Sequence, residues 1–228
     1  MGVAGLDTLS VSIDGFAATH DRIRGVPGAF ARAVEAIESM RKYAPKVKLI
    51  ANTVISPENI DEVLALCDFL RGKAVAVKFQ PLYCHPQAAG EKGFSSAFSA
   101  GPVFIAKADK LVQGLLRRKN IASSRRFLRL IPGYFAGKAK DRAFNRPCLT
   151  PYYYCEFTED GQVYPCIEGT GWYRGLKIGN HGFASLWQSP AYQRVSRELR
   201  YCRRCAQLLT ICYAEPKLVL PLHHLFFP

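Results

Sequence analysis

The sequence predicts an α/β fold with a parallel sheet, followed by a smaller α+β domain rich in cysteine and aromatic residues. Three observations carry it. Strand and helix patterns alternate over residues 6–82, a basic stretch interrupts them, and beyond Pro147 four cysteines recur at metal-ligand spacing. The 228 residues can bury a large core, and with 49% of them apolar and 21% charged the chain is globular rather than disordered.

Leu9, Val11 and Ile13 alternate with Ser10, Ser12 and Asp14, which is the period of a strand with one apolar and one polar face. Phe30, Ala33, Val34, Ile37 and Met40 then fall at helical spacing, with Arg32, Glu35 and Glu38 opposite. A second strand spans Val47 to Ile55. Ser56-Pro57 opens a second helix, serine as cap and proline in the first turn, where its missing N–H does no harm. Its buried face is Ile60, Val63, Leu64, Cys67 and Leu70, which makes Cys67 a core residue. A third strand runs from Ala74 to Leu82. This order implies parallel strands joined by right-handed crossovers, in a doubly wound sheet or a barrel. Either architecture puts reactive groups at the carboxyl ends of the strands, where Ser12, Asp14, Asn52, Lys78 and Gln80 stand. Solvated strand ends are the competing explanation for those polar residues.

Residues 83–101 form a Gly/Ser/Ala-rich connection that opens on Cys84, an isolated cysteine read as a free thiol. A helix from Pro102 to Lys119 follows, then a basic segment over 120–146, helical in part. Tyr152 to Thr158 and Gln162 to Cys166 read as a hairpin turned at Asp160-Gly161. Ala184 to Arg200 reads as one helix with Leu186, Trp187, Tyr192, Val195 and Leu199 on its apolar side. The domain reading is therefore 1–101, a basic helical linker over 102–146, and 147–228.

The net charge is +13, and much of it falls between Arg117 and Arg146. Such a stretch suits an anionic partner or, more plainly, a solvated helical face. No helix-turn-helix, RNA-recognition or zinc-finger pattern accompanies it, so nucleic acid is not the expected partner. No apolar run approaches the ~18–20 residues that cross a bilayer. No basic region and apolar core mark an export signal, so a cytoplasmic location is expected. Gly2 does not make a myristoylation site, because Leu6 stands where Ser or Thr is needed. Eight cysteines in such a chain point to metal or reduced thiols rather than disulfides.

Cys148-x17-Cys166-x35-Cys202-x2-Cys205 brings four thiols from two separated regions, the number that an iron–sulfur cluster or a structural zinc takes. His20, His85 and His181 stand alone without ligand spacing and read as structural. His223-His224 lies in a short apolar tail, Leu218 to Pro228, expected to pack on the body.

Ser12-Ile13-Asp14-Gly15, then His20-Asp21-Arg22-Ile23-Arg24-Gly25 and the Phe30-to-Met40 helix, resemble the middle of the catalytic barrel of radical S-adenosylmethionine (SAM) enzymes. Asn52-Thr53-Val54 and the Asn59-to-Leu70 helix fit the next unit of that barrel. From Cys148 onward the chain resembles the auxiliary-cluster domain of these enzymes: Cys148-x12-Gly161-x4-Cys166, Gly179-Asn180, and Leu186-Trp187-Gln188-Ser189 ahead of Cys202-x2-Cys205. The fold implied is a partial parallel (β/α) barrel of the radical SAM type followed by a small α+β iron–sulfur domain. Of the two kinds of auxiliary domain, the shorter twitch form fits better than the full SPASM form, since six residues separate Cys205 from Cys212.

The resemblance implies one auxiliary [4Fe-4S] cluster on Cys148, Cys166, Cys202 and Cys205. Cys212 is the substitute ligand, and Cys155, mid-strand between aromatics, is packing. It implies a SAM site at Ser12, Asp14, Arg24, Asn52 and Gln80, with the Arg24 fork on the SAM carboxylate. The parent chemistry is reduction of SAM to a 5′-deoxyadenosyl radical that takes hydrogen from a peptide or small molecule. A reductant such as flavodoxin or ferredoxin would supply the electron. The chain departs from the family at one point: the Cys-x3-Cys-x2-Cys motif that holds the catalytic cluster is missing, and the barrel begins at its fourth strand. The chain is then a fragment of a longer enzyme, or a truncated protein that is catalytically inactive alone. A four-cysteine zinc module that binds nucleic acid is the remaining reading, weakened because a zinc ribbon usually has two Cys-x2-Cys pairs and this chain has one.

Overall fold

Three parallel strands form the first sheet, β1 (Thr8–Ser12), β2 (Lys48–Ile55) and β3 (Ala76–Pro81), in the order β1-β2-β3. The computed structural model describes residues 5–83, 100–138, 147–166, 174–179, 182–202 and 209. The chain divides into two units, one of Met1–Tyr83 with Ser96–Ala139, the other of Cys84–Ser95 with Lys140–Pro228.

In the first unit β1 leads to α1 (Ala17–Arg24) and α2 (Ala29–Tyr43), β2 to α3 (Val63–Gly72), and β3 to α4 (Pro102–Leu115) and α5 (Arg125–Phe135). The alternation read from the sequence is therefore present, with all strand pairs parallel. Ile13, Leu49, Ala51, Ile55, Val77 and Phe79 are buried on one side of the sheet with Ile37, Met40, Val63, Leu66, Cys67 and Leu70 of the helices. Burial pushes the Cys67 thiol up to about 12, so it is an inert core group. Thr53, polar within this apolar layer, is satisfied because its hydroxyl donates to the Ile13 carbonyl at 2.6 Å.

Helix α1 was not legible from the sequence. It is a short, polar helix tied to α2 through one side chain, Asp21, whose carboxylate accepts the Gly28 N–H at 2.6 Å and the Phe30 N–H at 2.8 Å. Asp21 thus supplies the N-terminal cap that α2 lacks in its own sequence. Gly28 takes φ 74, a conformation that favours glycine.

The helix after β2 starts at Val63, not at Ser56-Pro57 as expected. The cause is Asn59, which is buried and bonded to the strand ends. Its Oδ1 accepts the Ser56 N–H at 2.9 Å, and its Nδ2 donates to the carbonyls of Asp14 and Val54, each at 2.6 Å. This side chain holds residues 56–59 against the sheet and delays the helix. His20, buried at 2% exposure, accepts the Asp14 N–H on Nδ1 at 3.0 Å and packs against Phe30.

The basic segment is not a bare linker. Residues 102–138 belong to the first unit, with Leu111, Val112 and Leu115 of α4 and Phe127, Leu128 and Ile131 of α5 buried. Residues 120–123 also extend the sheet: Val77 pairs with Ile121 in parallel, and Ser123 Oγ accepts the Phe79 N–H at 2.9 Å. Arg125, Arg126 and Arg129 lie on the exposed side of α5. Arg118 pairs with Asp68 at 2.7 Å. Lys140 and Arg142 lie outside the described residues.

The second unit has a 3-10 turn (Thr150–Tyr152) and an antiparallel sheet of β4 (Glu156–Phe157), β5 (Gln162–Tyr164) and β6 (Leu176–Lys177). The expected hairpin is present, shorter at both strands, and β6 is a third strand too short to show a period. Its turn is at Asp160-Gly161: the Gly161 N–H donates to the Thr158 carbonyl at 3.0 Å, with Gly161 at φ 75. The single helix expected over Ala184–Arg200 is two, α6 (Gly182–Gln188) and α7 (Pro190–Arg200). Ser189 breaks it, since its hydroxyl accepts the Tyr192 N–H at 3.2 Å and Pro190 occupies the first turn of α7. Phe157, Phe183, Trp187 and Tyr192 stack in series, with ring centroids 5.1, 5.6 and 4.8 Å apart. Among the described residues no helix is long and apolar enough to cross a membrane.

Asn59→Ala leaves the Ser56 N–H and two carbonyls without their partner and is expected to cost about 3 kcal/mol, read as a lower urea midpoint. Arg22→Ala removes only an exposed pair with Glu58 and should change stability by less than about 1 kcal/mol. His20 gives a pH signature. Burial lowers its pKa below the ordinary 6.5, against the weaker raising effect of Asp14. Below about 6.5 the unfolded chain takes a proton that the folded chain refuses, so stability falls with pH until folded His20 protonates too. His20→Gln is expected to shrink the loss in unfolding free energy between about pH 7.5 and 5.5, measured by denaturant titration.

Candidate functional site

The register of the parallel sheet sets the polar residues side by side. Ser12 pairs with Asn52, Asn52 pairs with Lys78, and two residues on Val54 pairs with Gln80. Side chains alternate between faces along a strand, so Ser10, Ser12, Asn52, Lys78 and Gln80 share the face opposite the helix-packed one. Ser12 is exposed, while Asn52, Lys78 and Gln80 are half-buried. Gln80 Nε2 donates to the Pro81 carbonyl at 3.1 Å. Three of the five residues expected to hold the cofactor, Ser12, Asn52 and Gln80, thus stand on one face.

The other two, Asp14 and Arg24, meet each other. Asp14 lies just past the end of β1 and is 1% exposed. Its Oδ1 accepts the Val54 N–H at 2.9 Å, and its Oδ2 is 2.6 Å from Arg24 Nη2. The sequence reading aimed both at the ligand; the structure instead pairs them. A buried carboxylate needs a cation or several donors, and Arg24, in the last turn of α1, is the cation that reaches it. The Arg24 side chain is still 37% exposed, so the guanidinium also borders solvent. His20 Nδ1 is 3.9 Å from the Asp14 carboxylate, but its lone pair is occupied by the Asp14 N–H. The ring is neutral and structural, as expected.

Sequence reasoning missed Asn59, which joins the carbonyls of Asp14 and Val54 and so fixes both strand ends beneath the polar face. Its signal was Ser56-Pro57-Glu58-Asn59 directly after a strand, a segment in which an amide side chain can bond neighbouring backbone.

In the second unit Cys148 is buried and its N–H donates to the Arg200 carbonyl at 2.9 Å. That bond sets Cys148 against the last residue of α7, two positions before Cys202. Cys148 Sγ donates to Thr150 Oγ1 at 3.4 Å, and the Tyr192 hydroxyl donates to the Pro151 carbonyl at 3.4 Å. Cys166 follows β5 after the buried Val163, Tyr164 and Pro165, and is itself half-buried, as are Cys202 and Cys155. Burial raises the Cys155 thiol above its ordinary pKa. Cys205 and Cys212 lie outside the described residues, as do Cys84, Asn180, His85, His181 and the His223-His224 tail. Among the described residues no three His, Cys, Asp or Glu side chains are gathered to hold a metal. The donors nevertheless fit a thiolate-bound centre: the backbone draws Cys148 to the helix end that delivers Cys202, and the buried Ser196 hydroxyl of the same helix has no hydrogen-bond partner among the described residues.

Comparison with known proteins separates the two metals. Residues 148–206 match the SPASM family model, an iron–sulfur cluster-binding domain. The AdoMet-dependent heme synthase of Methanosarcina barkeri is 26% identical over 216 residues, 86% of this chain and 57% of that protein. The protein of the same name from Nitratidesulfovibrio vulgaris is 26% identical over 228 residues, 90% of this chain and 58% of that one. The pre-heme d1 synthase of Dinoroseobacter shibae is 38% identical over 65 residues, 28% of this chain and 16% of that protein. A solved chain described as native anSMEcpe with bound AdoMet and Kp18Cys peptide overlaps 89% of this chain and 58% of its own at 21% identity, with a TM-score of 0.48. The chain spans little more than half the length of the heme synthases it matches. Residues 148–206 are thus a SPASM-like iron–sulfur domain, and over most of its length the chain is similar to AdoMet-dependent heme synthases, as expected of a radical SAM superfamily member.

Proposed function

We propose that the chain is the carboxyl-terminal part of a radical SAM enzyme and holds one auxiliary [4Fe-4S] cluster on Cys148, Cys166, Cys202 and Cys205. One observation carries this reading, the span of the cluster-domain match. It begins on Cys148, ends one residue past Cys205 and leaves Cys212 outside. One cluster on four cysteines is the twitch-like count. A cluster bonded by four cysteines has no open iron, so its work is electron transfer or shaping of the substrate site.

SAM, when bound and reduced by one electron at a catalytic cluster, supplies the radical chemistry; the motif for that cluster is not in this chain. This chain's residues bind and orient. Asp14, fixed by the Val54 N–H, holds the Arg24 guanidinium at the carboxyl end of β1. There the planar fork suits a carboxylate such as that of SAM. Ser12 and Asn52, in register, offer a hydroxyl and an amide to ribose or adenine, with Gln80 one step further along. The named activities of the relatives favour a small molecule of the haem-precursor class over a peptide, and a net charge of +13 suits an anionic substrate. A flavodoxin- or ferredoxin-like reductant completes the scheme.

A second reading is that this chain keeps the auxiliary cluster without radical catalysis of its own, since no Cys-x3-Cys-x2-Cys motif is among its 228 residues. Both readings share one test. Anaerobically prepared protein is expected to contain about four irons and four sulfides per chain, with broad visible absorption. One zinc and no colour would overturn them. Cys166→Ala should lose most of the iron while Cys155→Ala keeps it; equal losses would refute the ligand assignment.

A further inference from the structure

Ser196 sits in the middle of α7 at 1% exposure, and its hydroxyl has no hydrogen-bond partner among the described residues. A helical serine usually bonds back to the carbonyl one turn earlier or turns toward solvent. This one does neither. A buried donor is disfavoured without a partner, so an acceptor beyond the described residues is expected.

The helix geometry shows where the hydroxyl lies. Residues 192, 196 and 200 are four apart and share one face of α7. At one end of that face the Tyr192 hydroxyl reaches the Pro151 carbonyl at 3.4 Å, and at the other the Arg200 carbonyl accepts the Cys148 N–H at 2.9 Å. Ser196 is therefore held over the Cys148–Pro151 segment, between its two ties to the helix. Of the described cysteines, Cys148 is the one whose backbone bonds to this helix, its N–H donating to the Arg200 carbonyl, and as a thiolate it can accept a hydrogen bond. Its present sulfur contact, to Thr150 Oγ1 at 3.4 Å, has the thiol as donor, and a metal-bound thiolate could not make that bond.

We propose that the Ser196 hydroxyl donates a hydrogen bond to sulfur at the auxiliary centre, the Cys148 thiolate or an adjoining sulfide, and thereby sets its reduction potential. This rests on the cluster assignment above. Reduction adds negative charge that spreads onto the sulfurs, and a donor aimed at sulfur stabilises the reduced form more than the oxidised one. Ser196 is a positioning and tuning residue; it ligates nothing itself.

The test compares anaerobically reconstituted wild type and Ser196→Ala, reading iron and sulfide content, midpoint potential by EPR-monitored titration, and exchangeable-deuteron coupling after transfer to D2O. Serine to alanine removes one buried atom and adds none, so the variant is expected to fold and load as the wild type does. Its midpoint should move negative by about 59 mV, a tenfold change in a one-electron equilibrium, and one deuteron coupling should vanish. Ser196→Thr keeps the donor and should stay near the wild-type potential, which separates the hydrogen bond from a packing effect. A loaded Ser196→Ala protein with unchanged midpoint and couplings would overturn the inference while leaving the cluster assignment intact. A wild type without iron would instead overturn that assignment.

Discussion

The Asp14 carboxylate and the Asn59 amide form one joint on which the first unit depends. Asp14 is almost fully buried, and its charge is met from two directions, by the Val54 N–H of β2 and by the Arg24 guanidinium of α1. Asn59 then closes the joint from the other side by taking the Asp14 and Val54 carbonyls. Three elements converge there, so the spacing of β1 and β2 at their carboxyl ends is fixed by side chains as well as by the ladder. A carboxylate in such a place is tolerated only when every lone pair direction is served, and removing any one partner exposes the others. The polar face gains its definition from this joint. Ser12 is two residues before Asp14 and Asn52 two before Val54, so fixing those ends fixes where the row of polar side chains stands.

Much of this was legible because the chemistry repeats at fixed periods. The alternation of Leu9, Val11 and Ile13 with Ser10, Ser12 and Asp14 announced β1, and the order of strands and helices announced that the polar residues stand near carboxyl ends of parallel strands. Cys67 was placed in the core by helical spacing alone, and it is buried there. What escaped the sequence was decided by single hydrogen bonds that leave no period. The late start of α3 follows from Asn59, the break between α6 and α7 from Ser189, and the existence of α1 from the reach of Asp21 to α2. The Asp14–Arg24 pair was hidden for a different reason. Both residues were read for a ligand, and nothing in a linear sequence shows that two expected ligand groups will neutralise each other first. The basic segment was misread because its charge drew attention from its second pattern: between Arg125 and Arg129 lie Phe127 and Leu128, the start of an apolar face that seats α5 in the first unit.

The two units are stabilised in unequal ways, and this bears on the metal. In the first unit large aliphatic and aromatic side chains bury completely: Ile13, Ile37, Ile55, Leu66, Leu70, Phe79, Leu115 and Phe127 are all under 2% exposed. In the described part of the second, the apolar side chains buried as deeply are Val163, Tyr192 and Leu209, and its strands are two or three residues long. Short strands and few deeply buried side chains among the described residues suit a domain that takes a staple, a disulfide or a metal. The second unit also contains the buried Ser196 hydroxyl, which has no hydrogen-bond partner among the described residues. A thiolate-bound cluster answers both features at once. It would contribute binding energy that becomes folding energy, and it would offer sulfur acceptors to a donor that the described residues leave unmet. The helix break at Ser189 starts α7, and the Cys148 tie to Arg200 sets Cys148 beside the helix end that leads to Cys202; a cluster bound there would add to the limited apolar burial that the described residues of this unit supply.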